Sequence, residues 1–256
     1  MDNKMKSFKF LTILSAAFIA SVFTSCSDNS SSAEGDSFDA SVVCPADGLN
    51  AYGEPNRGIF TDARDGQVYK YTTIGNQVWM AENLKFDAPY SVCYEKIEGF
   101  CDTFGKYYSL HENGEILGSF DQQLLDTICP AGWHVPSVDE WTVLKQTLGE
   151  GEKTALRLIS SMKIDELYAG DTTYLNERLG YSVGSFFTPG TDDCSFNSIL
   201  AGSLNSYGDI DAGFVTSRYW TSSARDFSSS YGFSFNKSGF YLPMNLDKMS
   251  IRCIKN

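Results

Sequence analysis

The sequence of 256 residues is poor in histidine and in basic residues. Its two histidines, His111 and His134, have no zinc-type spacing to any cysteine, and the chain contains no pair of cysteines separated by two residues. Twenty Lys and Arg residues stand against 32 Asp and Glu residues, giving a formal net charge of -12. Nucleic acids and anionic lipid headgroups are therefore excluded as charge-driven partners, because they carry the same sign of charge.

The N-terminus has the features of an export signal. Three lysines stand among the first nine residues: Lys4, Lys6 and Lys9. The apolar stretch that follows, Phe10 to Phe23, is too short for a comfortable bilayer span and has signal-peptide length. Small residues then lead into Cys26, which predicts cleavage after residues 1–25 and a diacylglycerol on the Cys26 sulfur. The alternative is an ordinary secretory peptide cleaved near Ser25, with Cys26 left as a thiol.

A short polar tether is predicted after the signal peptide. Residues 26–40 comprise Cys26 and a Ser/Asp-rich stretch, which has too little apolar surface to offset the entropy of folding. We expect the exported chain to be anchored in the membrane of the cell envelope through lipid on Cys26, at the outer membrane or cell surface. Each buried lipid methylene contributes about 0.8 kcal/mol to that attachment.

The remaining chain is long enough for a single core. We expect residues 41–59 to form an N-terminal extension and residues 60–256 to form one domain. Six cysteines lie in this part of the chain: Cys44, Cys93, Cys101, Cys129, Cys194 and Cys253. An even number in an exported chain is typical of a disulfide framework, for which fifteen pairings exist. A local Cys93–Cys101 bond would close nine residues and contribute at most about 2.6 kcal/mol.

Local patterns predict a hairpin and two helices. Gln67–Ile74 and Gln77–Ala81 read as strands joined by a Gly-Asn turn. Ser137 and Glu140 have capping-box spacing at the start of a helix that continues through Trp141, Leu144 and Leu148 and ends at Gly149. A second helix is predicted over Lys153–Met162 from the helical spacing of Leu156, Ile159 and Met162.

The C-terminal half differs in composition from the preceding part of the chain. Tyr181–Ala212 is rich in Gly, Asp, Asn and Ser, which predicts long loops. Strands of an antiparallel sheet are then predicted, with a turn at residues 237–239, over Tyr219–Ser222, Tyr231–Phe235, Gly239–Met244 and Ser250–Ile254. The order of hairpin, helices, loops and antiparallel strands indicates an α+β fold.

Five motifs occur in an order that resembles one known family. They are Phe60–Gly66, Ile74–Leu84, Cys129–Ser137, Tyr219–Ser223 and Ser250–Cys253. From Phe60 to the C-terminus the chain looks like the Fibrobacter succinogenes major paralogous domain family. The resemblance implies a fold similar to C-type lectins and formylglycine-generating enzymes, in exported proteins that often carry lipoprotein signals. The chain departs from the family pattern over Ser109–Glu115.

The resemblance also bears on the cysteines. In lectin-like folds the last strand is commonly bonded to an earlier element, which implies a Cys129–Cys253 disulfide. With Cys93–Cys101 bonded locally, Cys44 is left to pair with Cys194. An oxidase of the formylglycine-generating type would need reactive cysteines in a copper site, so cysteines held in disulfides argue against that activity.

Two short motifs invite a functional interpretation that their context does not favour. Glu54-Pro55-Asn56 matches the tripeptide with which some C-type lectins hold calcium and sugar, but it stands before the domain instead of in a long loop. Gly180–Gly184 fits the G-x-S-x-G pattern around a nucleophilic serine, here Ser182. Both histidines precede Ser182, whereas in that hydrolase fold the base follows the serine.

A calcium site is one hypothesis for the loop region. Six residues there carry the hard oxygen ligands that calcium prefers: Asp192, Asp193, Asn197, Asn205, Asp209 and Asp211. Their spacing does not match an EF-hand. The alternative is that these residues form turns, as Asp and Asn commonly do, and the sequence identifies no certain cofactor.

The aromatic residues divide into core and surface candidates. We expect Trp79, Trp133, Trp141 and Trp220 to lie in the core and His134 to be a hydrogen-bonded structural residue. The tyrosines in or beside the loops are the candidates for stacking against a sugar: Tyr181, Tyr207 and Tyr219.

No pattern in the sequence requires catalysis. We expect a non-catalytic binding domain for polysaccharide or another envelope component. The alternatives are a structural or assembly role in the envelope without a small ligand, and an unrecognised hydrolase.

Overall fold

A computed structural model of the chain describes residues 38–94, 99–111, 121–151, 153–163, 166, 176–177, 187–226, 229–242, 244–245 and 248–256. These residues fall within one unit, Asp36–Asn256. The predicted signal peptide, Cys26 and most of the tether lie outside the described residues. No helix among those described is long and apolar enough to cross a bilayer.

The helices are short. They are α1 (Ala40–Val43), α2 (Phe100–Phe104), α3 (Gln122–Thr127), α4 (Val138–Thr147) and a 3-10 turn at Ala155–Arg157. The predicted capping box at α4 is confirmed: the Glu140 backbone N–H donates to Ser137 Oγ at 3.2 Å, and the Ser137 N–H donates to Glu140 Oε2 at 2.7 Å. Gly149 follows α4 with a φ of 85°, which favours glycine after a helix end.

Most of the regular structure is in strands. In chain order they are β1 (Arg57–Thr61), β2 (Val68–Ile74), β3 (Gln77–Met80), β4 (Ser91–Val92), β5 (Tyr107–Tyr108), β6 (Trp133–His134), β7 (Ser203–Leu204), β8 (Ile210–Asp211), β9 (Ser217–Asp226), β10 (Ser229–Asn236), β11 (Gly239–Tyr241), β12 (Met244–Asn245), β13 (Lys248–Met249) and β14 (Ile254–Lys255). The named strand pairs are antiparallel, which together with the helices confirms the α+β class.

The first sheet has the order β1-β2-β3-β14-β6. The predicted hairpin is confirmed, with Ile74 paired to Gln77 across the turn and Gly75 at a φ of 58°. The C-terminal strand β14 lies between β3 and β6, where Ile254 pairs with both Trp79 and His134. The last strand of the chain therefore lies inside the sheet that the first three strands begin.

The second sheet holds β9, β10, β11 and β12. The predicted turn after β10 is present, but the predicted strand Gly239–Met244 is divided between β11 and β12. The predicted strand Ser250–Ile254 is wrong except at Ile254. The carbonyl of Ile251 accepts a hydrogen bond from Leu84 N at 2.9 Å, and a parallel bridge joins Ser250 to Tyr219, so these residues link neighbouring segments instead of forming one ladder.

The third sheet has the order β4-β5-β13-β7-β8. Its β7–β8 hairpin lies in the region where only long loops were predicted, and Leu204 pairs there with Ile210. Strands of two residues carry almost no periodic signal, so sequence patterning misses them.

The predicted helix over Lys153–Met162 is wrong. Only Ala155–Arg157 is helical, as a single 3-10 turn. The Leu158 carbonyl accepts from Ser198 N at 2.8 Å, and Ser160 N donates to the Ser198 carbonyl at 2.8 Å. A bridge to residue 198 has replaced the helical hydrogen bonds, although the apolar spacing fits a helix.

The core is rich in aromatic rings, and all four tryptophans are buried, as predicted. Trp141 of α4 stacks on Phe233 with ring centroids 4.7 Å apart, and it lies 4.6 Å from Trp79 of the first sheet. Trp220 donates from its ring N–H to the Tyr108 carbonyl at 2.7 Å. These rings join α4 and the sheets into one interior.

Arg252 lies inside this core. Arg252 is 1% exposed, and its guanidinium donates to Asn83 Oδ1 and to the Phe196 carbonyl. The same group lies over the rings of Phe196 and Tyr219, at 4.5 and 5.3 Å from their centroids. Burial lowers the pKa of Arg252. A buried cation is tolerated only when its donors are satisfied, so Arg252 fixes the segments around it.

Three disulfides join Cys44 to Cys194, Cys93 to Cys101 and Cys129 to Cys253. This is the pairing that the local spacing and the family resemblance predict. The first bond attaches Cys44 of the N-terminal extension to the domain, and Thr73 N donates to the Asn56 carbonyl at 2.8 Å, so the extension contacts the domain at both points.

The last residues of the predicted tether are also packed. The Arg157 guanidinium lies 3.9 Å from the centre of the Phe38 ring, and Asp39 caps α1 by accepting from the Ser41 N–H at 2.9 Å. The prediction of a flexible tether is therefore wrong for residues 38–40, because Phe38 finds a cationic and apolar surface that the local sequence does not reveal.

Candidate functional site

Two predicted site residues lie outside the described residues. They are Tyr181, a candidate for sugar stacking, and Ser182 of the G-x-S-x-G pattern. The structure describes the other candidates, and it separates those held within the fold from those open to a ligand.

The Glu54-Pro55-Asn56 tripeptide has a structural role. The Glu54 carboxylate pairs with Lys255 Nζ at 2.5 Å, and this contact lowers the pKa of Glu54. Asn56 is buried and donates from its amide to the Asp47 carbonyl at 2.6 Å. Both polar side chains thus serve contacts within the protein, as expected of a chance match.

The first half of the proposed calcium set forms a turn. Asp192 Oδ1 accepts from Asn197 N at 2.7 Å, and both residues have a positive φ. Burial raises the pKa of Asp192 to about 6. Asp193 faces Arg157 instead, with Oδ2 at 4.0 Å from the guanidinium Nε. This turn is also fixed by the Cys44–Cys194 disulfide.

The second half of the set belongs to the β7–β8 turn. Asn205 Oδ1 accepts from the backbone N–H of Tyr207 at 2.9 Å and from that of Asp209 at 3.0 Å. Asp211 pairs with Arg218 at 2.6 Å. Across the described ranges no three Asp, Glu, His or Cys side chains are grouped to hold a metal. The turn-forming alternative accounts for the positions of Asp192, Asn197 and Asn205.

His134 is held by hydrogen bonds on both ring nitrogens. Nε2 lies 2.8 Å from Glu140 Oε1, and Nδ1 lies 2.6 Å from Asn256 Oδ1. The contact with Glu140 raises the pKa of His134. Despite partial burial, His134 and the capping contacts at Ser137 lower the pKa of Glu140 to about 2. The pair joins α4 to the C-terminal residue, which fits the structural role predicted for His134.

Tyr219 is not available to a ligand. Its side chain is 1% exposed, its hydroxyl lies 2.7 Å from Ser198 Oγ, and its ring stacks on Trp141. The expectation that Tyr219 stacks against sugar is therefore corrected. The residue faces inward from β9, and the loop-rich sequence before it does not reveal which face of the strand is buried.

Tyr207, in contrast, is exposed to solvent. Its side chain is 88% exposed, the largest exposed fraction of any large apolar residue among those described. The turn that carries it is ordered by the two hydrogen bonds to Asn205 Oδ1 and by a φ of 78° at Gly208. The Tyr207 ring is therefore accessible to a ligand.

A groove of about 340 Å³ lies beside this ring. We call it the Tyr207 groove. It is lined by Val92, Cys93, Tyr94, Leu204, Asn205, Ser206, Tyr207, Gly208 and Lys248. Tyr94 and Leu204 are buried and form an apolar floor, whereas Asn205, Ser206 and Lys248 offer polar groups.

The third sheet assembles this groove from distant parts of the chain. Lys248 of β13 pairs in register with Leu204 of β7, so their side chains project to the same face. The β4 strand leads into the opposite wall at Cys93, which is bonded to Cys101. Sequence patterns identified Tyr207 but missed Lys248 and Tyr94, because their positions depend on the pairing of β13 with β7 and β5 and of β4 with β5.

The structure thus defines a disulfide-linked α+β domain whose sheets carry an open groove with an apolar floor. The family comparison agrees with the sequence motifs: the model of the Fibrobacter succinogenes major domain matches residues 72–255. The chain therefore belongs to the Fibrobacter succinogenes major domain family. No curated protein and no solved structure matches the chain.

Proposed function

We propose that this protein is a non-catalytic binding module of the cell envelope and that polysaccharide binds in the Tyr207 groove. The observation that carries the proposal is the exposed Tyr207 ring, presented by an ordered turn beside a groove with an apolar floor. Sugars have an apolar ring face and a polar rim of hydroxyls. An exposed tyrosine beside Asn205 and Ser206 matches both features.

The surroundings of the groove support binding rather than catalysis. Among the lining residues that the structure describes there is neither a carboxylate nor a histidine. Hydrolysis of a glycosidic bond ordinarily needs two carboxylates about 5–10 Å apart, one acting as an acid. The lining offers hydroxyl, amide and ammonium groups, which hold a ligand without supplying that chemistry.

A C-type-lectin-like fold and an envelope location belong to the same proposal. Strand β14 between β3 and β6, and the Cys129–Cys253 bond beside it, are consistent with a lectin-like closure of the chain by its last strand. Lipid on Cys26 would hold the domain at the membrane, where an acidic surface favours neutral or short-range contacts over binding to anionic headgroups.

Binding to a panel of plant and bacterial polysaccharides tests the proposal. The full chain would be measured in a detergent that lacks a sugar headgroup, with calcium present and with calcium chelated. Tyr207→Ala should weaken binding about tenfold or more, because burying a large apolar side chain contributes about 1.5–3 kcal/mol. Tyr241→Ala is the matched control, since Tyr241 is also exposed but lies on β11 outside the groove.

Each outcome has a defined meaning. Saturable binding that Tyr207→Ala reduces and Tyr241→Ala leaves unchanged supports the groove as the site. Binding unaffected by Tyr207→Ala rejects this groove, and absence of binding to every polymer rejects the carbohydrate proposal. Loss of binding on chelation would reject a calcium-independent groove and favour the Asp-rich loops, because the described lining residues include no carboxylate.

A further inference from the structure

We propose that the Tyr207 groove selects acidic polysaccharide, with Lys248 pairing to the carboxylate of a uronic acid residue whose sugar ring lies against Tyr207. This inference rests on the proposed function and adds the class of sugar. It follows from the charge of the described lining and from the position of Lys248, and it must hold against the charge of the whole chain.

The first observation is that Lys248 is the one charged residue among the described residues of the lining. Of the nine described residues that line the groove, eight are uncharged and the ninth is this lysine. Elsewhere in the described structure several lysines are paired, as Lys106 is with Asp87 at 2.6 Å and Lys255 with Glu54 at 2.5 Å. Within the part of the chain that the structure describes, the Lys248 ammonium has no hydrogen bond and no ion pair.

The second observation is where the ammonium group is carried. The backbone of Lys248 is fixed by the β13–β7 ladder opposite Leu204, and the Tyr207 turn begins at the next residue, Asn205. Lys248 is half-buried and lines the groove together with Tyr207, so the two side chains adjoin the same space. A flat sugar lying on the Tyr207 ring would then present a ring substituent toward the ammonium.

The charge of the whole chain opposes an acidic ligand and sets the condition that a local contact must meet. A protein with a formal net charge of -12 repels polyanions at long range, and salt screens that repulsion over about 8–10 Å. Selection for a negative ligand must therefore come from a local cation at contact distance. The lysine in the groove meets that requirement, and a carboxylate is the acidic group that a sugar ring carries directly.

Paired polymers that differ only in charge test the inference. Affinities would be measured for polygalacturonate and for its fully methyl-esterified form, which has the same backbone without the negative charge. The full chain should bind the acidic polymer about two- to fivefold more tightly, since one partly exposed ion pair contributes up to about 1 kcal/mol. Lys248→Gln should remove this preference and leave the affinity for the ester within about twofold.

Three further variants complete the design. Lys248→Arg keeps the positive charge and should retain the preference. Lys70→Gln is the matched control, because Lys70 is exposed on β2 outside the groove and its substitution changes the net charge equally. Tyr207→Ala should weaken binding of both polymers by a similar factor. Thermal unfolding of every variant verifies that the fold is intact.

The result that overturns the inference is distinct from the result that overturns the proposed function. Equal affinity of the unmodified chain for both polymers, or a preference that survives Lys248→Gln, rejects acidic selection while the groove remains a sugar site. Absence of binding to the acid, the ester and all other polysaccharides rejects both. A preference lost in Lys248→Gln and kept in Lys248→Arg and Lys70→Gln supports the inference.

Discussion

The disulfides should differ in their contribution to stability, and the difference can be calculated from the chain they close. Cys129 and Cys253 are 124 residues apart, whereas Cys93 and Cys101 are eight apart. The loop-entropy relation gives about 4.9 kcal/mol for the long closure and about 2.6 kcal/mol for the short one, both as upper figures. Replacing the long bond by two alanines should therefore cost about twice as much stability.

Burial also predicts a larger loss of stability when the Cys129–Cys253 bond is removed. Cys129 and Cys253 lie in the core, whereas Cys93 and Cys101 are half-buried at its edge. Removing sulfur atoms from the packed interior leaves a cavity as well as a longer unfolded loop. Since whole domains are stable by only about 5–15 kcal/mol, the long-bond variant should lose a large share of its stability.

Urea unfolding without reductant measures both variants. We expect Cys129→Ala/Cys253→Ala to lose about 4–5 kcal/mol in the free energy of unfolding and Cys93→Ala/Cys101→Ala to lose no more than about 2.6 kcal/mol. In the unmodified protein, limited reduction followed by mass mapping should open the half-buried Cys93–Cys101 bond first. Equal losses, or a larger loss for the short bond, would refute the reasoning from loop length and burial.

Three other perturbations have expected outcomes. The folded pKa of Glu140 is about 2 against the usual 4.5, so Glu140 stabilises the folded state above pH 4.5 and this contribution is lost as the pH falls. The pKa of His134 is raised, so His134 stabilises the folded state below pH 6.5 and this contribution is lost as the pH rises. Glu140→Gln should therefore lower the free energy of unfolding most between those values, by about 1–2 kcal/mol after allowance for solvent screening, and a loss independent of pH would contradict the pairing. Arg252→Met should cost about 3 kcal/mol or more in urea unfolding because buried acceptors lose their donor. Arg218 is half-buried and pairs with the exposed Asp211, so Arg218→Met should cost less, about 1 kcal/mol, and similar losses would contradict the buried role of Arg252. Cys26→Ser should abolish incorporation of a labelled fatty acid, and labelling that persists would place the lipid elsewhere.

Elements specified by adjacent residues could be predicted from the sequence. The Gly-Asn turn fixes the hairpin between β2 and β3, and the Ser137–Glu140 capping box fixes the start of α4. Both depend on contacts within a few residues, where side-chain chemistry and backbone geometry are directly linked. The cysteine pairing could also be predicted, with the family resemblance supplying the long-range partner.

Elements that depend on distant partners could not be predicted in the same way. Leu156, Ile159 and Met162 have helical spacing, yet the backbone around Ile159 bonds to residue 198 and only a 3-10 turn forms. Tyr219 looked accessible beside a polar loop and is buried under Trp141. In each case tertiary contacts override a local preference, which is a weak determinant on its own.

The residues of the candidate site also differ in whether they could be predicted from the sequence. Tyr207 could be found because a tyrosine within a Gly/Asn/Asp-rich turn is expected at the surface. Lys248 could not, since its place in the groove depends on the register between β13 and β7. The Asp and Asn residues that suggested calcium include the one that orders the Tyr207 turn, so that pattern located the right region for a different physical reason.

Hydrogen–deuterium exchange of the full chain with and without a bound polysaccharide tests the central claim most directly. Ligand in the Tyr207 groove should slow exchange in residues 203–211, where the β7–β8 turn forms one wall. Exchange in β11, Gly239–Tyr241, should remain unchanged. Protection of residues 203–211 alone or together with β13 would place the ligand in the groove, whereas protection confined to another surface would contradict the account.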